Sequence, residues 1–427
     1  MPAADDMRFF IFTLGCKVNL CDSETIASRL MSAGMDRCDR PEEADLIIIN
    51  TCAVTAESER KSRNSIRHYA SVNPDALIAV GGCWTRVGGR EEISGGPDYI
   101  CFKQTDAEEA AAFLLAKLKE RGFIPGEEGG QYREGIYRQS RTRASLKIQD
   151  GCNRFCTYCI IPYARGRLSS MDADFIRTSC DQLAGEGFKE VVLTGIHIAS
   201  YSFGEKTLTD AVEEASRSAI SRIRLGSLEP VFVDEDFAAR TAATGKLCPH
   251  FHLSLQSGST EVLKRMHRRY TREEYIESVR ILRNYFPDAS FTTDIIVGFP
   301  GESEEEFMES VSIVEEVGFA HVHVFPFSPR RGTPAAEMPF QLTRAQKHDR
   351  VLRLMEVSEK TGTEVKKKLI GRTLNVLPEY VNSSGLYEGY SENYIRCVFS
   401  SVIECINEIV PVKAVSLEGE SLYCEKV

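Results

Sequence analysis

Three cysteines in one short stretch of the chain have the spacing of a metal-binding loop. The stretch reads Gly-Cys-Asn-Arg-Phe-Cys-Thr-Tyr-Cys and contributes the thiols of Cys152, Cys156 and Cys159. Thiolates are the soft ligands that iron–sulfur clusters select, so this spacing predicts a [4Fe–4S] cluster with three protein ligands. No fourth cysteine lies nearby, and one iron would stay open to an exogenous ligand. A zinc site or a set of buried thiols would also fit the residue types, although structural zinc usually takes four protein ligands.

Three further cysteines are predicted to meet at one edge of a sheet. Apolar strands alternate with helices over roughly residues 1–130, which predicts an open parallel α/β sheet. Strands are expected near residues 8–14, 45–50, 76–80 and 98–102, and helices near 22–33, 58–71 and 106–121. Cys16, Cys52 and Cys83 each follow the carboxyl end of a strand. Because these ends share the edge where ligands bind, the three thiols are expected to converge.

A second alternation of strands and helices begins at residue 145, after a connection over residues 121–144 that is rich in Gly, Glu, Arg and Gln. Strands are expected at 146–148, 190–193, 222–225, 250–255, 290–297 and 320–325. Helices are expected between them, for example at 172–185, 234–244, 272–284 and 303–317. Six βα units predict a partial (β/α)6 barrel, in which function lies at the carboxyl ends of the strands. Asp294, inside the fifth strand, is predicted to face the barrel interior.

The last part of the chain predicts a small antiparallel β-barrel. A long helix ends near residue 370, and short β-like runs follow at 373–378, 395–398, 409–415 and 421–424. From Lys366 to Val427 the chain has seven Lys and Arg against eight Asp and Glu. The barrel is therefore not basic overall. Either it does not dock an anionic partner electrostatically, or docking is confined to one face that bears Lys366, Lys367, Lys368, Arg372 and Arg396.

The composition is that of an ordinary globular protein, and a cytoplasmic location is the default expectation. Hydrophobic residues make up 42% and charged residues 27% of the 427 residues, as in ordinary globular proteins. Neither a long apolar run nor a signal sequence is present, so no membrane partner is expected. Fourteen cysteines in an intracellular chain indicate metal sites or reactive thiols rather than disulfides. The net charge of −10 means that nucleic-acid binding would need a local basic patch.

The cysteine loop resembles that of a known enzyme family. The run SLKIQDGCNRFCTYCIIPYARGR, from Ser145 to Arg167, is similar to the cluster loop of radical S-adenosylmethionine (SAM) enzymes, and among them to the methylthiotransferases. This resemblance implies that the open iron chelates SAM and that Tyr158 lies beside the adenine. It also implies SAM contacts by Gly195, Ser227, Glu229 and Gln256, and substrate contacts by Arg165, Arg167 and Asp294. Apart from the clusters, no catalytic residue is assigned.

The other two domains show matching resemblances. The segments GCKVN, NTCAV and GCW around Cys16, Cys52 and Cys83 are similar to the three cysteine motifs of the methylthiotransferase N-terminal domain. They imply a second [4Fe–4S] cluster with an open iron that carries the sulfur to be inserted. The C-terminal barrel resembles the TRAM module, an RNA-binding barrel. The implied domains are 1–130, 131–362 and 363–427.

The resemblance implies a transferase that acts on adenosine 37 of tRNA, beside the anticodon. The motifs at residues 148–150, 162–167 and 195–198 most resemble the branch that acts on N6-threonylcarbamoyladenosine. The branch acting on N6-isopentenyladenosine ranks second, and methylthiolation of an aspartate in a ribosomal protein ranks third. Two hypotheses from different classes are a non-catalytic iron–sulfur RNA-binding protein and a radical SAM methylase without sulfur insertion. The expected partners are tRNA and an electron donor such as flavodoxin or ferredoxin, and the expected state is a monomer.

Overall fold

A computed structural model describes residues 7–89, 99–122, 136–138 and 142–427. The chain divides into two compact units. The first unit comprises Met1–Tyr137, Asp150–Ser169 and Ser328–Ala336, and the second comprises Arg138–Gln149, Ser170–Phe327 and Glu337–Val427. The three-domain division at residues 130 and 362 stays a prediction. Most of the predicted connection at 121–144 lies outside the described residues.

The first unit contains the predicted parallel sheet, with strand order β2-β1-β3-β4-β5. Its strands are β1 (Arg8–Thr13), β2 (Asp36–Arg37), β3 (Leu46–Thr51), β4 (Leu77–Gly82) and β5 (Ile100–Cys101). Its helices are α1 (Lys17–Ser32), α2 (Ala56–Val72) and α3 (Ala107–Glu120). The central strand β3 is buried along its whole length, which explains its run of isoleucines, because a central parallel strand is covered on both faces.

The side chains of β3 alternate between two hydrophobic cores. Ile48 packs into a core with residues of α1 and α3, whereas Ile47 and Ile49 pack into a second core on the other face of the sheet. Ile160 and Ala164, from the segment after the cysteine loop, belong to this second core. The cysteine loop is therefore connected by apolar packing to the sheet that carries the other three cysteines.

The start of α1 differs from the expectation. The sequence predicted a helix beginning near residue 22, but the helix begins at Lys17 with Cys16 as its N-terminal cap. The chain turns at Gly15, whose φ of +106° lies in a region that favours glycine, and the helix follows at once. As a result, Asp22 and Ser23 lie inside the helix and are buried.

The second unit contains the six predicted strands of the central barrel in parallel arrangement. They are β7 (Arg143–Asp150), β9 (Glu190–Gly195), β12 (Arg222–Leu225), β13 (His250–His252), β14 (Ser290–Val297) and β15 (His321–Pro326). Ladders join β7, β9 and β12 and also β13, β14 and β15, and isolated bridges join the segments around β12 and β13. This confirms the partial (β/α)6 barrel.

The remaining elements between residues 136 and 367, from both units, also have defined bounds. The short strands are β6 (Ile136–Arg138), β8 (Ser169–Ser170), β10 (Ser202–Phe203) and β11 (Lys206–Thr207). The helices are α4 (Ile161–Arg165), α5 (Ala173–Gly185), α6 (Leu208–Ser216), α7 (Glu235–Ala243), α8 (Thr260–Arg265), α9 (Arg272–Tyr285), α10 (Glu304–Val317), α11 (Pro334–Glu337) and α12 (Arg344–Lys367). Within the residues that the structure describes, no helix is both long and apolar enough to cross a membrane.

The C-terminal strands form a closed barrel, as predicted. They are β16 (Thr373–Val381), β17 (Tyr387–Ser391), β18 (Arg396–Phe399), β19 (Val410–Glu418) and β20 (Ser421–Lys426), in the order β16-β17-β18-β20-β19. Four of the strand pairs are antiparallel, whereas β18 and β20 pair in parallel. Strand β17 was not predicted, because its sequence Tyr-Glu-Gly-Tyr-Ser lacks aliphatic residues.

This barrel packs against the amino ends of the central strands within the second unit. Arg222 donates a 2.5 Å hydrogen bond to the backbone oxygen of Asn375, and the Asn407 amide donates at 2.8 Å to Gly187. Tyr394 stacks on His250, with ring centroids 4.7 Å apart. The barrel therefore does not cover the carboxyl ends of the same strands, where ligands are expected to bind.

Candidate active site

The structure brings Cys16, Cys52 and Cys83 together at the carboxyl edge of the first sheet. A Cβ atom added to Gly15 would lie 3.1 Å from the Cys52 Sγ, and the Cys83 Sγ lies 3.8 Å from the Asn19 Oδ1. Cys52 and Cys83 are 5% and 2% exposed. Burial raises the pKa of the Cys52 thiol, and the nearby Cys83 raises it further. A bare Cys52 thiol would stay protonated, whereas metal binding would require its deprotonation.

Two asparagines fix the segments that carry these cysteines. The Asn19 amide donates to the backbone oxygens of Leu14 and Thr51, at 2.7 and 3.1 Å. The Asn50 amide donates to the backbone oxygen of Asn19 and to the Ser23 hydroxyl, both at 2.9 Å. Buried amides that are fully hydrogen-bonded rigidify their surroundings. The two residues therefore join strand ends β1 and β3 to helix α1, and with them two of the three cysteines.

The loop with the other three cysteines is shaped by backbone contacts. The Cys159 amide donates to the Cys156 oxygen at 2.9 Å, which closes a tight turn over Thr157 and Tyr158. Cys156 is buried, whereas Cys152 and Cys159 are partly exposed. A Cβ atom at Gly151 would lie 2.0 Å from the Arg167 oxygen, so only glycine fits there. The loop thus holds its three thiols within eight residues.

Aromatic side chains flank this loop. Tyr158, predicted to lie beside the SAM adenine, is partly buried in the turn. Phe155 has a φ of +49°, which is uncommon for a bulky residue, and its ring meets that of Tyr163 edge-on at 5.7 Å. Both Phe155 and Tyr163 are about half exposed, at 49% and 54%. The loop therefore presents an aromatic surface beside its cysteines.

Arg165 is the centre of a buried ion-pair network in the first unit. Its side chain is 1% exposed and donates to the Asp22 Oδ2 at 2.6 Å and to the Asp150 Oδ2 at 3.1 Å. It also donates to the Asn19 Oδ1. Burial alone would lower the pKa of Arg165, but the two carboxylates and the nearby Cys83 and Cys16 raise it well above its ordinary value. Arg165 was predicted to bind a substrate anion, yet its guanidinium already pairs with two carboxylates.

A second arginine in this region has buried donors available. Arg86 donates to the backbone oxygen of Gln104, while its Nε and Nη1 are buried and have no hydrogen-bond partner among the described residues. Burial and the charge of Arg165 lower the pKa of Arg86, whereas Cys83 acts in the opposite direction. Unpaired buried donors are costly unless an anion accepts from them. Beside Cys83, they fit an anionic iron–sulfur cluster.

In the second unit, the residues predicted to contact SAM lie at the carboxyl ends of β9, β12 and β13. A Cβ atom at Gly195 would lie 2.9 Å from the backbone oxygen of Gln149, so the position has no room for a side chain. Ser227 is exposed. Gln256 has a φ of +71° and still exchanges backbone hydrogen bonds with β14. Such strain in a non-glycine residue is typical of functional sites.

Glu229 is a buried carboxylate with two basic partners. Its Oε2 lies 3.0 Å from the His197 Nε2, and its Oε1 lies 3.4 Å from an Arg268 nitrogen. The His197 Nδ1 lies 2.7 Å from the Ser200 hydroxyl. Both ring nitrogens of His197 are thus engaged, which fixes the orientation of the imidazole. Glu229 is 3% exposed, so a SAM molecule could contact only the small exposed part of its carboxylate.

Two other predicted residues, Asp294 and Arg167, belong to different units. Asp294 is partly buried and has His252 at 3.3 Å and His323 as its register neighbour on β15. Arg167 is exposed, in contrast to Arg165. Sequence reasoning missed Asp22, Arg86, His252 and His323. Only the last two had a visible signal, the His-x-His pattern of β13 and β15, because parallel strands are usually apolar on both faces.

Two family models match the chain. The model described as the radical SAM superfamily matches residues 146–314, and the model described as uncharacterized protein family UPF0004 matches residues 8–100. The first match covers the cysteine loop and β7 to α10, and the second covers the strand ends with Cys16, Cys52 and Cys83. Both groups of three cysteines therefore lie inside matched regions.

Curated relatives match over nearly the full length. The threonylcarbamoyladenosine tRNA methylthiotransferase MtaB of Bacillus subtilis is 38% identical over 417 residues, which cover 94% of this chain and 92% of the relative. The protein of the same name from Chlamydia pneumoniae is 36% identical, with 98% of each chain covered. The chain belongs to the radical SAM methylthiotransferase family. It is therefore a transferase, and its cofactors are two [4Fe–4S] clusters and SAM.

A relative with a different named substrate and a solved structure are also similar to this methylthiotransferase. The tRNA-2-methylthio-N(6)-dimethylallyladenosine synthase of Syntrophomonas wolfei is 36% identical over 435 residues, covering 98% of this chain and 97% of the relative. The solved structure of the radical SAM methyltransferase TsrM from Kitasatospora setae has a TM-score of 0.57 and covers 78% of this chain and 77% of its own. At 17% identity, this likeness shows the fold alone.

Proposed function

We propose that this methylthiotransferase adds a methylthio group to C2 of N6-threonylcarbamoyladenosine at position 37 of tRNA. The observation that carries the proposal is the full-length similarity to two proteins named MtaB, at 38% and 36% identity. The second candidate substrate is N6-isopentenyladenosine at the same position. It is favoured by the 36% identity to a dimethylallyladenosine synthase. The two identities differ too little to decide between the nucleosides, whereas mass spectrometry of tRNA nucleosides separates them.

The chain offers one group of three cysteines for each cluster. Cys152, Cys156 and Cys159 would hold the cluster that binds SAM, and Cys16, Cys52 and Cys83 would hold the second one. When bound, the first cluster supplies the electron that cleaves SAM, and the second supplies the sulfur for the new C–S bond. Three thiolates leave one iron of each cluster without a protein ligand, which both tasks need.

The protein around the second cluster would control charge and geometry. The buried donors of Arg86 would balance the negative charge of the cluster and its thiolates, whereas the charge of Arg165 is taken up by Asp22 and Asp150. Arg165 also fixes Asp22 on α1 and Asp150 just before the loop. We therefore assign it a positioning role in place of the predicted anion contact.

Gly195, Ser227, Glu229 and Gln256 would meet polar groups of SAM, and Tyr158 would lie against its adenine. Gly195 lets the backbone approach the ligand closely, and Gln256 is held in place by its hydrogen bonds to β14. Glu229 is oriented by His197 and would accept from an amino or hydroxyl group. These side chains orient SAM, while the chemistry belongs to the cofactors.

Arg167 is the exposed cation that we assign to the substrate. The threonylcarbamoyl group ends in a carboxylate, and a guanidinium binds a carboxylate through two parallel hydrogen bonds. The isopentenyl group has no charge, so this contact would favour the first nucleoside. The C-terminal barrel would add phosphate contacts through Arg372, Arg396 and the Lys366–Lys368 run. We further propose that the protein works in the cytoplasm as a monomer and receives electrons from a donor such as flavodoxin or ferredoxin.

Nucleoside mass spectrometry of tRNA tests the proposal. Cells without the gene are complemented with the wild-type chain, with Cys52→Ala or with Cys38→Ala as the matched control. Cys38 is a partly exposed cysteine outside both groups. We expect the methylthio form of threonylcarbamoyladenosine to be absent with Cys52→Ala and restored with Cys38→Ala.

Each other outcome has a defined meaning. Loss of the isopentenyl counterpart alone would move the assignment to the second nucleoside. No change in any tRNA nucleoside would overturn the tRNA proposal. If Cys52→Ala kept the full product, the second cluster would not be the sulfur donor. Purified protein that forms no 5′-deoxyadenosine from SAM would indicate a non-catalytic iron–sulfur protein.

A further inference from the structure

The central sheet of the second unit has one strongly polar face at β13, β14 and β15. Side chains alternate along a strand, so His250 and His252, Thr292 and Asp294, and His321 and His323 lie on the same face. The register confirms it, because His252 is opposite Thr292 and Asp294 is opposite His323. The other face is apolar and buried, with Phe251, Phe291 and Ile295 at 1% exposure or less. A parallel sheet rarely carries such a face unless it binds something polar.

Three side chains on this face converge. Ligand atoms of His252, Asp294 and His323 all lie within 4.8 Å of one another. The His252 Nε2 lies 3.3 Å from the Asp294 Oδ2, and the imidazole centroids of His252 and His323 are 5.9 Å apart. Ligands at about 2.1 Å from one metal ion lie about 3 to 4 Å from each other. The three groups therefore need only small side-chain movements to share an ion.

The outer partners of His252 suit a metal ligand. Its Nδ1 lies 3.0 Å from the Thr292 hydroxyl, which in turn lies 3.1 Å from the His250 Nε2. If the His252 Nδ1–H donates to Thr292, the hydroxyl donates to His250 and the His252 Nε2 is left with a lone pair directed at Asp294. Metal-bound histidines are usually fixed by such a hydrogen bond from the other ring nitrogen.

We propose that His252, His323 and Asp294 form a binding site for a divalent transition-metal ion. Two imidazoles and one carboxylate make a donor set that suits Mn²⁺, Fe²⁺, Co²⁺ or Zn²⁺ and leaves coordination positions open. His252 and Asp294 are partly exposed and His323 is exposed, so an ion reaches the site from solvent. The site uses none of the six cysteines, and it assigns Asp294 to a metal ion in place of the substrate contact that the resemblance implies.

Titration with Mn²⁺ tests this site in the full-length, cluster-loaded protein, purified anaerobically without a histidine tag. Mn²⁺ is the probe because it prefers oxygen and imidazole ligands over thiolates. Electron paramagnetic resonance of free Mn²⁺ gives the bound fraction. We expect one bound Mn²⁺ per chain, displaced by Zn²⁺, which binds nitrogen and oxygen ligands more tightly.

Four variants make the test specific. Asp294→Asn and His323→Gln should each weaken Mn²⁺ binding more than about tenfold, and Thr292→Val, which removes the hydroxyl beside His252, about tenfold. His348→Gln is the matched control, because His348 is an exposed histidine on α12 and lies outside the group. It should bind like the wild-type chain.

Two results would overturn the proposal. One is the absence of a stoichiometric Mn²⁺ site in the folded wild-type protein. The other is equal Mn²⁺ affinity in the wild-type chain, Asp294→Asn and His323→Gln. Cys52→Ala provides a further check, since binding at the proposed site should persist in it, whereas loss of Mn²⁺ there would place the ion at the cysteines.

Discussion

Two buried arginine networks, one in each unit, balance their charges in opposite ways. In the first unit, a single arginine, Arg165, pairs with the carboxylates of Asp22 and Asp150. In the second unit, a single carboxylate, Glu190, pairs with Arg224 at 2.7 Å and has Arg222 at 3.9 Å. One network thus has an excess of carboxylate beside the cysteines, and the other has an excess of guanidinium at the barrel.

The excess charge is compensated differently as well. In the second unit, Arg224 donates to the backbone oxygen of Glu392, and its guanidinium lies 4.7 Å from the Tyr394 ring centroid. Backbone oxygens and ring faces of the barrel therefore take up the surplus positive charge. In the first unit, Arg86 is the cation that faces the surplus carboxylate charge, and Asp22 and Asp150 both act to raise its pKa. The comparison assigns the first network to the cofactor site and the second to holding the barrel in place.

Replacing Arg165 should have the largest effect. Arg165→Met leaves Asp22 and Asp150 buried without their partner, so we expect the free energy of unfolding to fall by about 3–5 kcal/mol. Iron and sulfide bound at Cys16, Cys52 and Cys83 should be lost as well. Chemical denaturation and iron analysis measure the two effects. Arg165→Lys keeps the charge and should recover part of the stability, and full iron content in Arg165→Met would contradict the assigned role.

Replacing Arg224 should cost less and spare the cofactors. In Arg224→Met, Glu190 keeps Arg222 and Arg143 nearby, so we expect a loss of about 2 kcal/mol. Hydrogen exchange should rise at the barrel interface, while the iron content and the yield of 5′-deoxyadenosine per SAM stay unchanged. A loss of iron comparable to that of Arg165→Met would remove the distinction between the two networks.

Acid should act on the second network through Glu190. Burial would raise the pKa of Glu190, but the charges of Arg224, Arg143 and Arg222 outweigh burial and lower it. Its contribution to stability is therefore complete above the unfolded pKa of about 4.3 and is lost as the pH falls through the lower folded value. Glu190→Gln should be less stable at pH 7 but should lose less stability than wild type on further acidification. Urea titrations across this pH window compare the two slopes, and equal slopes would contradict the prediction.

The smallest effect is expected at the rim of the barrel. Glu379 accepts from the Arg143 Nε at 2.7 Å and from the Thr142 hydroxyl at 3.1 Å. Arg143 also lies over the Tyr390 ring, 5.0 Å from its centroid. Glu379→Gln therefore removes the ion pair of Arg143 but leaves its contact with Tyr390. We expect a loss of about 1 kcal/mol, measured by thermal or urea unfolding, with no change in Mn²⁺ binding or iron content. A larger loss of unfolding free energy than in Arg224→Met would contradict this order and show that the Glu379 contacts contribute more to stability than those of Arg224.

The strands and most helices were predictable because their signals are local. The isoleucine run predicts β3 without reference to any other segment. The position of each cysteine just after an apolar run likewise predicts that it follows a strand. The beginning of α1 was not predictable, because Asp22 looks like a cap but is recruited as a partner of Arg165, 143 residues away. Strand β17 was missed because closure of the barrel, and not its own propensity, makes it a strand.

The same limit applies to the candidate site. Cysteine spacing reveals three donors in a loop, but it does not show that Arg165 is buried while Arg167 is exposed. The His-x-His alternation of β13 and β15 was visible in the sequence. That His252 and His323 meet a carboxylate was not, because Asp294 belongs to β14, which lies between them. Charge pairing and burial depend on contacts between segments that are distant in the sequence. Local sequence patterns do not reveal these contacts.

The barrel is fastened to the amino ends of β9 and β12, while Gly195 and Ser227 lie at the carboxyl ends of these same strands. A change in the barrel reaches those residues only along the length of a buried strand. The barrel is thus a module whose replacement would alter the surface at the amino ends and would leave the residues at the far ends of the strands in place.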